Sequence, residues 1–121
     1  MSQEMVRVRL DQIAVARSGD KGDHVNIGII ARQRDWFSLL DEVISAELLE
    51  RLFGDMAEGG IARYSLEGIG ALNVLLFNAL QGGGTVALRL DAQGKSIGQA
   101  LLRTMVDVPR DFAEEMNLEM E

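Results

Sequence analysis

The segment with the most structural information runs from Arg17 to Arg32 and reads Arg17-Ser18-Gly19-Asp20-Lys21-Gly22-Asp23-His24-Val25-Asn26-Ile27-Gly28-Ile29-Ile30-Ala31-Arg32. Its second half has an apolar residue at every second position from Val25 to Ala31, which predicts a strand with one buried face. Its first half holds ionic side chains and glycines between two apolar runs, which is typical of a loop. We therefore predict a β-hairpin with a long, glycine-bearing connection from Arg17 to His24.

Upstream of this segment, apolar and charged residues alternate from Val6 to Leu10, which predicts a half-buried strand. The alternation changes parity at Asp11-Gln12, because Ile13 and Val15 have the opposite phase. A bulge or a break is expected there, since a strand with one buried face keeps a period of two.

Helical spacing begins at Trp36. The apolar residues recur at i, i+3, i+4, i+7 and i+8 and are Trp36, Leu39, Leu40, Val43 and Ile44. Asp35 is the predicted N-cap of this helix, and Ser45 is the predicted N-cap of a second one.

The next part of the chain predicts a strand from Ile61 to Leu66. The run from Ala71 to Leu80 is apolar nearly all round, which predicts a buried helix that ends at Gly82-Gly83-Gly84. Alternation from Val86 to Leu90 predicts a further strand.

The sequence closes with a helix predicted from Ser96 to Thr104 and, after Pro109, an acidic tail that we expect to be frayed. We assign residues 1–110 to one domain and residues 111–121 to the tail. The order of elements predicts an α+β fold, a two-layer sandwich in which a mixed or antiparallel sheet of about four strands carries helices on one face.

Composition excludes several classes of function. The 121 residues contain no cysteine, which excludes disulfides, thiolate catalysis and cysteine-ligated zinc. A net charge of −7 argues against nucleic acid as a partner. There is neither a signal peptide nor an apolar run long enough to span a membrane, so we expect a cytoplasmic protein with no membrane partner.

Charge is distributed unevenly along the chain. Residues 1–34 hold six lysine or arginine residues against four acidic residues, a net charge of +2, whereas the remainder is strongly acidic. The polar segment therefore lies in the basic part of the chain, and a ligand bound there is expected to be an anionic small molecule. The alternative is that the acidic remainder simply keeps the protein in solution.

Candidate binding residues come from the polar segment and from the second glycine-rich stretch. They are Arg17, Ser18, Gly19, Asp20, Lys21, Gly22, Asp23, Asn26, Asn78, Gly82, Gly83 and Gly84. The segment from Ser18 to Gly22 can form a backbone nest for an anion, with Arg17 and Lys21 as counter-charges. We expect the ionic side chains to converge on one pocket or to form one interlocked network.

The same residues allow other interpretations. Asp20, Asp23 and Asn26 offer oxygen ligands to a hard cation, but their spacing does not match a known calcium loop and nearby basic residues compete with a metal. We therefore predict no metal and no cofactor. His24, the one histidine, is either a general base or merely exposed, so no catalytic residue is assigned.

The motif ARSGDKGD-x-x-NIGIIAR, from Ala16 to Arg32, resembles the signature of the AtuA-type proteins, named for acyclic terpene utilisation. The resemblance is to their small C-terminal, ferredoxin-fold-like domain. A second stretch agrees, from Leu72 to Gly84, followed by Leu88-Arg89-Leu90-Asp91 and Gly94-Lys95. The resemblance implies the same α+β fold.

Two classes of function remain open. Family members often carry this domain behind a much larger N-terminal domain that this sequence lacks, which favours an accessory subunit. Such a subunit would form a homo-oligomer and bind a separate large AtuA-like protein, with Trp36-Phe37 as an apolar surface. The alternative is a small stand-alone enzyme that acts on an anionic acyl or CoA-type substrate. The family name implies acyl-CoA or terpenoid acid catabolism for either.

Overall fold

Six strands and four α-helices are formed by the residues that the structure, a computed structural model, describes, namely 4–79 and 95–121. The strands are β1 (Met5–Arg9), β2 (Ala14–Lys21), β3 (His24–Ala31), β4 (Gly60–Leu66), β5 (Ala71–Phe77) and β6 (Met105–Pro109). The helices are α1 (Phe37–Val43), α2 (Ala46–Phe53), α3 (Lys95–Leu102) and α4 (Arg110–Glu115). Short 3-10 turns lie at Leu10–Gln12, Arg34–Trp36 and Glu67–Ile69.

Four strands form an antiparallel sheet in the order β2-β3-β5-β4, and β1 and β6 form a separate antiparallel ribbon. Helices α1, α2 and α3 supply buried residues to a core beneath one face of the four-stranded sheet, among them Leu40, Leu49 and Leu101. The predicted α+β class and the sheet of about four strands are confirmed.

Strand β3 is the predicted strand, and its side chains at Val25, Ile27 and Ile29 are fully buried. The predicted long connection before it is wrong. Lys21 pairs with His24, so only two residues remain in the turn, and Gly22 takes the positive φ of 63° that such a tight turn requires. Polar residues are accommodated in β2 because β2 is an edge strand whose outward side chains can be solvated.

The predicted helix from Ala71 to Leu80 is also wrong, since residues 71–77 form the central strand β5. The inward side chains of Leu72, Val74 and Leu76 are fully buried, while the outward Leu75 is half-buried. An apolar run without alternation fits a strand covered on both faces as well as a buried helix. The predicted strand from Val86 to Leu90 lies outside the described residues.

The helical layer follows the predicted spacing with changes at its ends. Ser45 caps α2 as predicted, since its Oγ accepts a hydrogen bond of 3.1 Å from the Leu48 amide. Asp35 is not a cap, because it lies inside a 3-10 turn and Trp36 occupies the N-cap position of α1. The last predicted helix runs from Lys95 to Leu102, so Ser96 is inside the helix and Thr104 is beyond it.

Trp36 and Phe37 do not form an apolar surface. They are only 9% and 8% exposed, and the Trp36 ring packs edge-on against Phe112 at a centroid distance of 5.4 Å. The expectation that this pair drives self-association is therefore wrong. No helix in the described ranges combines the length and the apolarity needed to cross a bilayer.

The chain after Pro109 is ordered against the ribbon. Residues 110–115 form α4, the Gln12 side-chain amide donates to and accepts from the Glu119 backbone, and the Glu121 amide donates to the Arg7 carbonyl over 2.9 Å. The expectation of a frayed tail is wrong, because these contacts attach it to β1. The predicted break at Asp11-Gln12 is confirmed as a 3-10 turn.

An ion pair joins strand β4 to helix α1. The Arg63 guanidinium in β4 donates to the Asp41 carboxylate in α1 over 2.7 Å and to the Ile44 carbonyl over 2.6 Å. The hydrogen bond from Arg63, with a second one from Ser65, lowers the pKa of Asp41 below its ordinary value of 3.8.

We predict that Asp41→Asn loses stability at neutral pH and converges with the parent protein in acid. A carboxyl whose pKa is lowered in the folded state contributes stability above its unfolded pKa, and this contribution is lost as pH falls from about 4 through the lowered pKa of the folded state. Urea unfolding at pH 7 and at pH 3 measures the difference. A gap between the two proteins that is equally large at both pH values would contradict the prediction.

Candidate functional site

The face of the four-stranded sheet that points away from the helices carries much of the polar segment; we call it the outer face. Strand register places four residues side by side in each row across β2, β3, β5 and β4. The rows are Val15, Ile30, Ala71 and Leu66; Arg17, Gly28, Asn73 and Tyr64; Gly19, Asn26, Leu75 and Ala62; and Lys21, His24, Phe77 and Gly60.

Gly19 and Gly28 lie in adjacent rows of the outer face and leave both positions without a side chain, a gap that we call the depression. A Cβ atom built on Gly19 or Gly28 would meet no described atom within 4 Å. Glycine inside a strand sacrifices packing and backbone entropy, and it often marks a place where a ligand or another backbone approaches closely. The depression therefore has room for groups from outside the described chain.

Exposed apolar side chains lie beside this depression. Val15, Ile30 and Leu66 share one row and are 40%, 48% and 42% exposed, and Tyr64 in the adjacent row is 49% exposed. Four large apolar side chains on one face form a contiguous patch, which is typical of an interaction surface rather than of scattered surface residues.

The structure divides the predicted site residues between the two faces of β2. Arg17, Gly19 and Asn26 lie on the outer face. Ser18 points towards the helices, and Asp20, two residues further along β2, lies on the same side of the strand as Ser18. Alternating side chains of one strand cannot converge on a single pocket. Arg17 and Asp20 therefore do not share one pocket, while the interlocked network and the binding role of the individual residues stay predictions.

Arg17 has no ion pair with another residue in 4–79 or 95–121. The neighbouring row holds Asn26, whose side chain is exposed. Together they place a permanent cation and an amide beside the depression, which suits a carboxylate or a phosphate.

His24 and Asn78 form a contact at one end of the outer face. Asn78 follows β5 with a left-handed φ of 55°, and its amide donates to His24 Nδ1 over 3.0 Å. The His24 ring also packs edge-on against Phe77 at 5.3 Å. His24 Nδ1 is thus used as a structural acceptor, and Asn78 ends a strand rather than lying in the predicted helix.

Two predicted site elements are outside what the structure describes: Gly82, Gly83 and Gly84, and the Lys21 side chain. Among the described residues, no three histidine or carboxylate side chains are grouped closely enough to hold a metal ion.

Sequence reasoning missed Gly28 and the exposed row of Val15, Ile30 and Leu66. The signal for Gly28 was present, because it interrupts an otherwise apolar alternating strand. The row required the strand register, since its members are up to 51 positions apart and come from three different strands.

The family model of the AtuA ferredoxin-like domain matches residues 8–107. The chain belongs to this family. The match confirms the resemblance that the motif indicated, and it covers the four-stranded sheet, α1 to α3 and half of the ribbon. Comparisons with curated proteins and with solved structures found no significant match.

In this AtuA ferredoxin-like domain, Ser18 of the family motif joins the sheet to α3. Its Oγ accepts a hydrogen bond of 2.7 Å from the amide of Gly98, which lies in the first turn of the helix. This hydrogen bond ties the edge strand β2 to the start of α3. A Cβ on Gly98 would lie 2.9 Å from Ser18 Oγ, so only glycine allows this approach.

We expect Ser18→Ala to lower the free energy of unfolding by about 1 kcal/mol, because it removes the hydrogen bond that joins β2 to α3. Gly98→Ala should cost about 1 to 3 kcal/mol, since the added methyl group forces α3 away from β2. Asp20→Ala, two residues along the same strand but exposed, is the matched control and should change stability by under about 0.5 kcal/mol. Equal effects of Ser18→Ala and Asp20→Ala in urea unfolding would contradict this role.

Proposed function

We propose that this AtuA ferredoxin-like domain is a non-catalytic accessory module. It assembles with itself and with a large AtuA-like protein, and it uses the outer face of the sheet to do so. We further propose that it acts in the cytoplasm, in acyl-CoA or terpenoid acid catabolism. Membership of the family supports the accessory role, and the family name, acyclic terpene utilisation, supports the pathway class.

The observation that carries the proposal is the exposed row of Val15, Ile30 and Leu66 beside the Gly28 depression. Apolar area on an open sheet face gains free energy when a second protein covers it, at roughly 25 cal/mol per Å² of apolar surface. Helices cover only the other face of the described sheet, so assembly through the outer face requires no rearrangement of the core.

The depression explains how a partner would be positioned. A side chain from the partner can enter above Gly28. There it meets Asn73 on the neighbouring strand β5 and Arg17 on the neighbouring strand β2. Apolar residues then supply the buried centre of the contact, while Arg17 and Asn26 supply polar contacts at its side. This mixture is usual in interfaces between separately folded proteins.

Gly28→Val tests the proposal, because its side chain fills the depression from a Cβ position that has open space among the described residues. Valine favours strands, so stability should be unchanged or higher by up to about 1 kcal/mol. Light scattering at micromolar concentration should report a mass above 13.3 kDa for the parent protein and 13.3 kDa for the variant. The variant should also fail to bind a protein that carries the large AtuA-type domain.

Ala100→Val, a small-to-large change on the exposed side of α3, is the control and should leave assembly intact. A parent protein that stays at 13.3 kDa and ignores the large domain would overturn the proposal. So would a Gly28→Val variant that assembles as well as the parent.

Arg17, which forms no ion pair within the described part of the chain, supports a second candidate, a small enzyme or binding protein for an anionic acyl or CoA-type molecule. Calorimetric titration with coenzyme A distinguishes the two functions. If the second candidate holds, coenzyme A binds the parent protein and Arg17→Gln weakens this binding by about tenfold, the usual effect of losing one charge-assisted contact. Absence of binding by the parent protein excludes it and leaves the accessory function untouched.

A further inference from the structure

The β1–β6 ribbon has two outer edges. The pattern of hydrogen bonds between the two strands shows which main-chain groups point outward from each edge. The Arg110 amide donates to the Glu4 carbonyl over 2.8 Å, which makes that pair a hydrogen-bonded one. Bonded and non-bonded pairs alternate along antiparallel strands. Pro109, which has no N–H, accordingly lies at a non-bonded position. Asp107 and Met105, two and four residues before it, also lie at non-bonded positions. Their N–H and C=O groups therefore point away from β1.

The described residues cover one edge of the ribbon and leave the other open. On the β1 edge, the Arg7 carbonyl accepts from the Glu121 amide, and the Arg7 guanidinium lies 3.3 Å from the Glu121 carboxylate. On the β6 edge, the outward groups of Met105 and Asp107 have no hydrogen-bond partner within residues 4–79 and 95–121. An open edge is a template for pairing with another strand.

A groove of about 660 Å³ lies along this open edge, between β6 and the helices α1 and α2. Its apolar lining comes from both walls and includes Leu39, Val43, Leu48 and Met105. The charged side chains that line the groove are mostly acidic. The exposed carboxylates of Glu42, Glu47 and Asp107 lie there, and Arg51 is the one cation among the described lining residues.

We propose that this groove binds an extended segment of a partner protein in which apolar and basic residues alternate. The segment adds a strand to β6. Met105 and Asp107 each offer one N–H and one C=O, and Pro109 adds a carbonyl. Main-chain pairing of this kind gives affinity, and the side chains at alternate positions give specificity.

The side chains of an added strand alternate between two directions. One set would face the helices, where Leu39, Val43 and Leu48 provide apolar contacts. The other set would face solvent beside Asp107, where lysine or arginine is favoured by the acidic lining. The groove thus selects both the conformation and the charge of its partner.

Charge argues against a second copy of β6 as the occupant. A two-fold pairing of β6 with itself about Asp107 would place two carboxylates directly opposite each other, which is destabilising. The net charge of −7 further opposes pairing of identical chains through an acidic groove. This inference does not depend on the outer face or on the accessory function.

The test uses two capped hexapeptides, one of alternating lysine and valine and one of alternating glutamate and valine. Amide hydrogen exchange of the parent protein is followed by NMR. The lysine peptide should slow exchange at Met105 and Asp107 by at least about tenfold, because these amides become hydrogen-bonded. Its affinity should fall with added salt, and the glutamate peptide should not bind.

Two substitutions at one position separate charge from main-chain pairing. Asp107→Asn keeps the amide but removes the carboxylate, so it should weaken the lysine peptide and reduce the salt dependence. Asp107→Pro also removes the outward N–H and should abolish binding, while pairing with β1 survives because the position is not hydrogen-bonded. Thermal melting checks the fold of both variants.

Three results would overturn the proposal. The first is slow exchange at Met105 and Asp107 in the free monomer, which means that the chain covers its own edge. The second is peptide binding that leaves these two amides unchanged. The third is equal affinity for the lysine and glutamate peptides at low salt. Each result comes from the parent protein, so a variant that fails to fold does not affect the outcome.

Discussion

The alternation of buried and exposed residues along β3 governs the rest of this structure. Val25, Ile27 and Ile29 are fully buried at every second position, so Asn26, Gly28 and Ile30 must face outward. Strand β3 pairs with β2 on one side and with β5 on the other. Its alternation therefore determines which side chains of β2 and β5 point to the core and which point outward. A shift by one residue would expose the core face of three strands at once.

Sequence patterns predicted the elements that have a single clear period. Strand β3 and the Ser45 cap follow from short-range rules, since alternation and a capping serine each act within a few residues. The pattern failed at β5, where the outward Leu75 and Phe77 are apolar and half-buried and so remove the alternation, and at β2, where an edge strand tolerates Arg17 and Asp20. The expected exposed surface at Trp36 and Phe37 is absent because Trp36 packs against Phe112, more than 70 positions away.

The candidate site illustrates the same limit. The sequence identified the segment that contains Arg17 and Ser18, because its density of polar groups is local information. It could not separate their roles, since the strand sends Ser18 into contact with α3 and Arg17 to the open side. One family motif therefore serves both the packing of a helix and the chemistry of a surface.

The contacts at the end of the described chain limit how copies of this protein can join. Strand β1 reads Met-Val-Arg-Val-Arg, so it has the alternating apolar and basic character that complements the acidic groove beside β6. A ribbon with both edges open could add β1 of one copy to β6 of the next, and a head-to-tail contact of this kind grows without closing. Glu121 is bound across the β1 edge, so a contact of this kind would first have to displace it from Arg7.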